Sequence, residues 1–387
     1  MSGIGRPALP EARLPDPRRR RLARLPLHLA VLALAAAAYP QRTLAKTSGL
    51  DDDEDVLFLP AIARLLDNGQ IEVDLQAWIF ERERIRLLDA GLARYLGIQL
   101  EKLSATDRLR YLRRTEMFHA EPEEGKSLTV EFGHGTPTIK MPASNASGRT
   151  GLRAVVEHLP LRPMSMQSQL DKSMSWVHFH TVLGGSPPRR IEGRALLVPS
   201  EGLSVVSDID DTVKRTDVRN QHQMMLNTFA RLFEAVPGMA RRYRELAREP
   251  NTCFHYLSSS PLQLLPSLKR FLNEAKFPPG SMHLRESTRM RDWVPADGDS
   301  RAHKLGVLQR LVADFPNRRF LLVGDSGEVD PEVYGEMART RTDRIEAVLI
   351  RDVTSEGRNA ERYRQAFAGV DESRWHIFKD GEDWPLG

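Results

Sequence analysis

The chain of 387 residues contains one cysteine, Cys253. A single thiol excludes an intramolecular disulfide, so stability must come from a packed core. Cys253 lies in the apolar run "CFHYLS" and is expected to be a small buried hydrophobe. Long apolar runs are also scarce. The stretch "LPLHLAVLALAAAAYP" (25–40) is short for a bilayer span and is interrupted by Pro26 and His28. Excess charge is modest, a formal +4. Seven arginines against Glu11 and Asp16 give residues 1–38 a charge of +5, which leaves the remainder at −1. A nucleic-acid-binding reading based on charge is therefore excluded. No internal repeat is present. His28, His178 and His180 suggest no metal set, and "HFH" reads as one face of a strand.

The basic run "RRRRLAR" followed by an apolar, alanine-rich segment matches an export signal, with cleavage expected near Ala38. An uncleaved anchor, a misassigned start and a disordered tail are the alternatives. Residues 1–38 are thus expected to be a signal peptide or N-terminal anchor, and 39–54 an acidic linker. The protein is expected to be exported and periplasmic or membrane-associated, or cytoplasmic if the leader does not function.

An apolar content of 41% is ordinary for a globular protein. Within "GQIEVDLQAWIFERE", Ile71, Val73 and Leu75 alternate with polar residues, and the phase then shifts towards Trp78 and Phe80, as at a bulge. Residues 82–118 carry Leu, Arg and Glu at helical spacing. "SLTVEFG", "LRAVVEH", "WVHFHTVLGG" and "RIEGRALLVPS" return to the strand pattern. Residues 55–200 are therefore expected to form a mainly antiparallel, sandwich-like β domain with a helical insertion. From about residue 203, apolar runs ("LSVVSDI", "CFHYLSS", "RFLLVGD", "IEAVLIR") alternate with amphipathic helices such as "MLNTFARLFEAV" and "LLPSLKRFLNEA". This rhythm predicts an α/β domain over 201–387, a parallel sheet with helices on both faces. Ligands of such sheets sit beyond the carboxyl ends of the strands.

"VVSDIDDTVKRT" (205–216) crowds three aspartates beside an apolar run. A calcium loop starting at Asp208 would need Gly at its sixth position and Glu at its twelfth, where Val213 and Arg219 stand. That reading fails. The motif D-x-D-x-T at 208–212 resembles motif I of the haloacid dehalogenase (HAD) superfamily of phosphohydrolases. Motif II is matched by "FHYLS" ending at Ser258, motif III by Lys304 in "AHKLGVL", and motif IV by "LLVGDSGEVD" with Asp325. The longer strings "GLSVVSDIDDTVKRTDV", "YLSSSPLQLLPSLKRFL", "HKLGVLQRL" and "GDSGEVDPEVY" are similar to the actin-patch type of phosphatidate phosphatase and its bacterial relatives. The similarity covers about 203–355 closely and the preceding β region less specifically.

This resemblance implies a HAD-like Rossmannoid fold and Mg²⁺-dependent hydrolysis of phosphatidate to diacylglycerol and phosphate. Asp208 would be the nucleophile that becomes an aspartyl-phosphate, and Asp210 the general acid and base. Asp208, the backbone carbonyl of Asp210 and Asp325 would hold Mg²⁺. Lys304 would offset phosphoryl charge, and Ser258 would donate to a phosphoryl oxygen, with Ser259 and Ser260 as competitors. Thr212 and Asp330 would support the metal ligands, Asp330 ranking above Glu328. Asp211 is expected to be solvated or to cap the next segment.

Met225, Phe229, Leu232, Phe233 and Val236 form a helical stripe, read as core or as a lipid-contacting face. Lys214 and Arg215, with Arg219, are candidates for an anionic headgroup. Some 45 residues separate Thr212 from Ser258, and a similar length separates Ser258 from Lys304, leaving little chain for a large cap. An open site suits a phospholipid substrate met by peripheral membrane contact. Hydrolysis of other phosphoesters or phosphoproteins, and a binding protein without turnover, are the competing readings.

Overall fold

The computed structural model describes residues 50–82, 86–132, 138–157, 175–184, 188–287 and 297–385. The expected leader and most of the linker lie outside these residues. No helix among the described residues is long and apolar enough to cross a membrane.

Alternating apolar residues build the first sheet. Its early strands are β1 (Glu54–Phe58), β2 (Ala61–Leu65) and β3 (Ile71–Glu81). Two helices follow, α1 (Arg86–Tyr95) and α2 (Ala105–Thr115), the second capped by Ser104, whose Oγ accepts the Asp107 N–H at 3.1 Å. Then come β4 (Glu121–Pro122), β5 (Thr129–Val130), β6 (Ile139–Lys140), β7 (Arg149–Val156), β8 (Ser175–Leu183) and β9 (Arg189–Val198). Seven strands run in the order β1-β3-β2-β9-β8, with β4 and β7 also pairing with β3. The β2–β9 pair is parallel and the other pairs are antiparallel. The β5–β6 hairpin packs over one face, where Val130 and Phe132 join Val73, Ala77 and Val177 in a small core. This is the expected antiparallel, sandwich-like region with its helical insertion.

The expected bulge in β3 does not exist. Its register against β7 runs unbroken from Ile71 to Trp78. The phase shift arises because residues 77–80 are buried on both faces: Ala77 and Ile79 enter the small core, while Trp78 and Phe80 enter the larger one.

The second sheet contains β10 (Glu201–Ser207), β11 (Cys253–Pro261), β12 (Ser281–Arg285), β13 (Asn317–Asp325), β14 (Ile345–Arg351) and β15 (Trp375–Phe378). Between them lie α3 (Gln221–Phe229), α4 (Met239–Leu246), α5 (Leu265–Glu274), α6 (Asp297–Asp314), α7 (Asp330–Thr340) and α8 (Glu361–Ala366). All pairs are parallel, in the order β12-β11-β10-β13-β14-β15. Val205, Val206, Leu322 and Val323 are fully buried, as strands covered on both faces require. This is doubly wound α/β topology. The chain leaves β10 in one direction and returns through α6 to β13 on its other side, which opens a crevice at the switch point.

The two sheets share a core. Trp78, Trp176, Leu196 and Tyr111 belong to the same apolar cluster as Tyr256, Leu284 and Val205. The Met282 N–H donates to the Pro60 carbonyl at 2.8 Å, joining the β12 edge to the first sheet.

Helix α3 ends earlier than its apolar stripe predicts. Residues 234–236 instead bridge the loop after β10, with the Arg215 N–H donating to Glu234 O at 2.8 Å and the Val236 N–H to Val213 O at 3.0 Å. Met225, Phe229 and Val236 are core residues, whereas Leu232 is 60% exposed.

Arg318 fastens the amino ends of the central strands. Its guanidinium is buried and donates to Ser204 Oγ at 2.8 Å and to the carbonyls of Pro199, Glu201, Leu203 and Asn251. Arg318→Met would leave those acceptors unpaired, and unfolding in denaturant should show a loss of about 3 kcal/mol. An unchanged midpoint would refute this role.

Candidate active site

The strand ends bring the four motifs together. Asp208 follows β10, and its N–H extends the ladder to Val323 O at 2.9 Å. Asp325 ends the neighbouring β13, Ser258 lies in β11, and Lys304 projects from α6. Asp330 opens α7, where the helix dipole favours an acid.

Carboxylate oxygens of Asp208, Asp325 and Asp330 lie within 4.8 Å of one another, and all three residues are fully buried. Lys304 Nζ donates to Asp208 Oδ1 at 2.9 Å, Glu328 Oε2 at 3.0 Å and Asp330 Oδ1 at 2.5 Å. One ammonium thus faces three of four clustered acids. Burial pushes the Asp208 carboxyl well above its ordinary range, with neighbouring acids adding to the rise while Lys304 opposes it. Burial also raises Asp325, reinforced by Asp330 and Asp208. Burial alone would discharge Lys304, but the surrounding acids hold its ammonium well above the ordinary value.

Asp330 is already committed: its second oxygen accepts the Asp325 N–H at 3.1 Å. Gly324 makes that approach possible, because a Cβ there would lie 2.3 Å from Asp330 Oδ2. Asp208 Oδ2 and Asp325 Oδ2 are buried without any hydrogen-bond partner. Buried carboxylate oxygens without partners, on residues whose carboxyl groups cluster, suit a hard divalent cation, which would also favour their ionised forms. The cluster could therefore hold a metal ion, with Asp208, Asp325 and Asp330 each offering a carboxylate oxygen.

A second cluster surrounds Asp210. Its Oδ1 receives Lys214 Nζ at 2.7 Å and Thr216 Oγ1 at 2.8 Å, and its Oδ2 receives Ser258 Oγ at 3.1 Å and Ser260 Oγ at 2.8 Å. Burial opposes the charge, but Lys214 and the hydroxyls outweigh it and hold the Asp210 carboxyl at about 2. Lys214, expected at a headgroup, is buried, with its ammonium on Asp210 and 4.8 Å from the Phe233 ring centroid. Arg215 and Arg219 are exposed. Thr212 is fully buried, and its Oγ1 has no partner.

The structure sharpens several expectations and adds Arg362, which the sequence reading missed. Ser260 shares Asp210 with Ser258, because β11 becomes irregular between Ser258 and Pro261. Ser259 points elsewhere, its Oγ buried and unpartnered. Of the two expectations for Asp211, capping of the next segment holds and solvation does not, because the residue is buried. It takes a left-handed conformation (φ 55°), and its carboxylate accepts the N–H groups of Thr216, Asp217 and Val218 at 2.7–2.9 Å. The third aspartate thereby folds the loop that carries Asp210. Arg362 grips the loop after β13 by donating to Ser326 O and Glu328 O.

A cleft beside Asp210 is lined by the apolar Leu96, Met224, Phe229 and Leu264 together with Thr216 and Ser260.

The fold and the site define a doubly wound α/β domain with an acidic, cation-fitting centre at its switch point. Residues 203–352 match the family described as phosphatidate phosphatase APP1, catalytic domain. Over 154 residues it is 34% identical to phosphatidate phosphatase APP1 of Saccharomyces cerevisiae, covering 39% of this chain and 26% of the relative. An uncharacterized protein of Schizosaccharomyces pombe is 32% identical over 166 residues, covering 40% of this chain and 26% of that one. The match thus spans about a quarter of the length of these relatives. A solved carbohydrate esterase structure aligns at 8% identity with a TM-score of 0.19, covering 77% of this chain and 88% of that chain, and carries no argument.

In chelator, the acids around Lys304 should make stability pH-dependent. A carboxyl raised by folding contributes stability below its ordinary value and loses it as pH rises through the folded value. Lys304→Met removes the charge that restrains Asp208. Its melting-temperature deficit should widen from about pH 5 to pH 8; a deficit independent of pH would contradict this electrostatic account.

Proposed function

We propose that the chain is a Mg²⁺-dependent phosphatase that converts phosphatidate and water into diacylglycerol and inorganic phosphate through a phosphorylated Asp208. The observation that supports it most is the pair of unpartnered buried oxygens on Asp208 and Asp325 beside Lys304. Asp208, Asp325 and the Asp210 carbonyl would hold the ion, which when bound would supply positive charge to the phosphoryl oxygens.

The remaining steps belong to the chain. Asp208 attacks phosphorus as the bond to the glyceride oxygen breaks, while Lys304 faces the nucleophile. Ser258 and Ser260 orient Asp210 towards the departing oxygen. A phosphate dianion close to Asp210 raises its proton affinity, so it can deliver a proton to the leaving alkoxide. After diacylglycerol departs, Asp210, returned to its anionic form, accepts a proton from the water that attacks the aspartyl-phosphate, and phosphate is released.

The apolar lining beside Asp210 favours an ester whose phosphate is attached to an apolar body. The substrate assignment also draws on the name of the yeast relative. Export of the chain through its basic leader remains part of the proposal; N-terminal sequencing of the mature protein should begin near residue 39, and an intact Met1 would oppose cleavage.

Phosphate release should be measured across phosphatidate, lysophosphatidate, diacylglycerol pyrophosphate and soluble phosphoesters. Phosphatidate should be preferred. A preference for soluble esters would keep the chemistry and overturn the lipid assignment. Asp208→Asn should reduce turnover by roughly a thousand-fold or more while the protein stays folded; near-normal turnover would remove Asp208 as nucleophile. EDTA should silence the wild type and Mg²⁺ should restore it, whereas indifference to chelator would exclude the cation.

A further inference from the structure

Phosphatidate resides in a bilayer, so the cleft must meet a lipid surface. Among the described residues, the large apolar side chains that remain exposed are unevenly distributed. Of seven such side chains, Leu65, Val155 and Val182 are scattered over the first sheet, whereas Tyr95 (45%), Leu109 (57%), Leu112 (37%) and Leu232 (60%) lie on or beside α1, α2 and the segment after α3. These elements adjoin the cleft. Leu96, next to Tyr95, lines it, as do Met224, Met225 and Phe229 of α3.

Helix α2 is divided into two faces. Tyr111, Arg114 and Thr115 point inward: Tyr111 Oη donates to Asp89 O at 2.8 Å and Arg114 Nη1 to Thr228 O at 3.0 Å. The Arg114 guanidinium also lies 3.6 Å from the Phe233 ring centroid, which fixes α2 against the residue adjoining Leu232. Leu109 and Leu112, one turn apart, point outward between exposed Arg108 and Arg113. From Arg94 to Arg113 five basic residues face Glu101 and Asp107, a local charge of +3 in a chain that is −1 outside its leader. Arg231 adds a further exposed cation beside Leu232. Protruding leucines interleaved with arginines match the two-layered chemistry of an anionic membrane surface, headgroup charge above and acyl chain below.

We infer that the outer face of α2, with Tyr95 and Leu232, is the surface by which the protein docks on an anionic bilayer and presents its cleft to lipid. This deepens the phosphatidate reading and rests on it for the choice of a lipid partner. Of the stripe read along α3 it keeps only Leu232, because Met225, Phe229 and Val236 are buried, as is Lys214. The inner contacts of α2 give the surface a fixed position relative to Asp210, through Phe233 and Lys214.

The test is co-sedimentation of the full chain with vesicles of phosphatidylcholine containing 30% phosphatidylserine (about 30 mol%), and with phosphatidylcholine alone. Wild type should prefer the anionic vesicles. Leu109→Ser/Leu112→Ser should lower the partition coefficient roughly ten-fold, and Arg108→Glu/Arg113→Glu should abolish the preference for anionic lipid. Both should retain wild-type turnover of a soluble phosphoester, which also shows that they fold. Leu112→Trp should show blue-shifted emission on vesicles. Wild type that does not sediment, or a serine variant that sediments equally, overturns the surface and leaves it to a protein partner. Leucine-dependent sedimentation without phosphate release from phosphatidate would sustain the surface and sink the substrate assignment.

Discussion

Packing of four acids, three fully buried and Glu328 partly so, around one lysine is the constraint on which the rest of the structure depends. Asp208, Asp325, Glu328 and Asp330 together exceed what the single ammonium of Lys304 can neutralise. Such a cluster is costly in the low-dielectric interior at the end of a parallel sheet. The fold offsets part of that cost with backbone donors and a close approach at Gly324. The switch point between β10 and β13 brings residues 117 positions apart in sequence within coordination range, as Asp208 and Asp325 illustrate.

Asp210 occupies a different electrostatic setting only two residues from Asp208. Lys214 and three hydroxyls keep it ionised, whereas burial and neighbouring acids push Asp208 towards its protonated form when no cation is bound. One loop thus holds two carboxyls with opposed proton affinities, a division that acid–base chemistry can use. Asp211 makes the division possible by folding the loop on its own carboxylate.

The convergence of the site residues was legible in the sequence wherever it depends on local strings. Asp208, Asp325 and Lys304 stand at strand ends and on a helix whose apolar patterns are strong, and they meet as the resemblance implies. Strand–helix alternation also specified the parallel sheet. Less legible was whatever depends on contacts between distant segments. The phase shift in β3 reads as a bulge until both of its covering layers are known. Helix α3 has sufficient apolar periodicity to continue, but Phe233 is drawn beneath Arg114 and residues 234–236 pair with the loop after β10. Lys214 looks like a surface charge in sequence because its partner Asp210 is buried only in the folded loop. The share of Ser260 in Asp210 depends on an irregularity near the end of β11 that no periodicity announces.

The common core beneath the two sheets has a consequence for inheritance. Trp78, Phe80 and Trp176 of one sheet and Tyr256 of the other fill a single interior, while Arg114 of the helical insertion braces the ring above Lys214. An exchange of gene segments at the boundary near residue 200 would separate halves that had adapted to each other's contours. The half that carries the acidic cluster is therefore a poor candidate for free shuffling between genes, and its β-rich companion should travel with it.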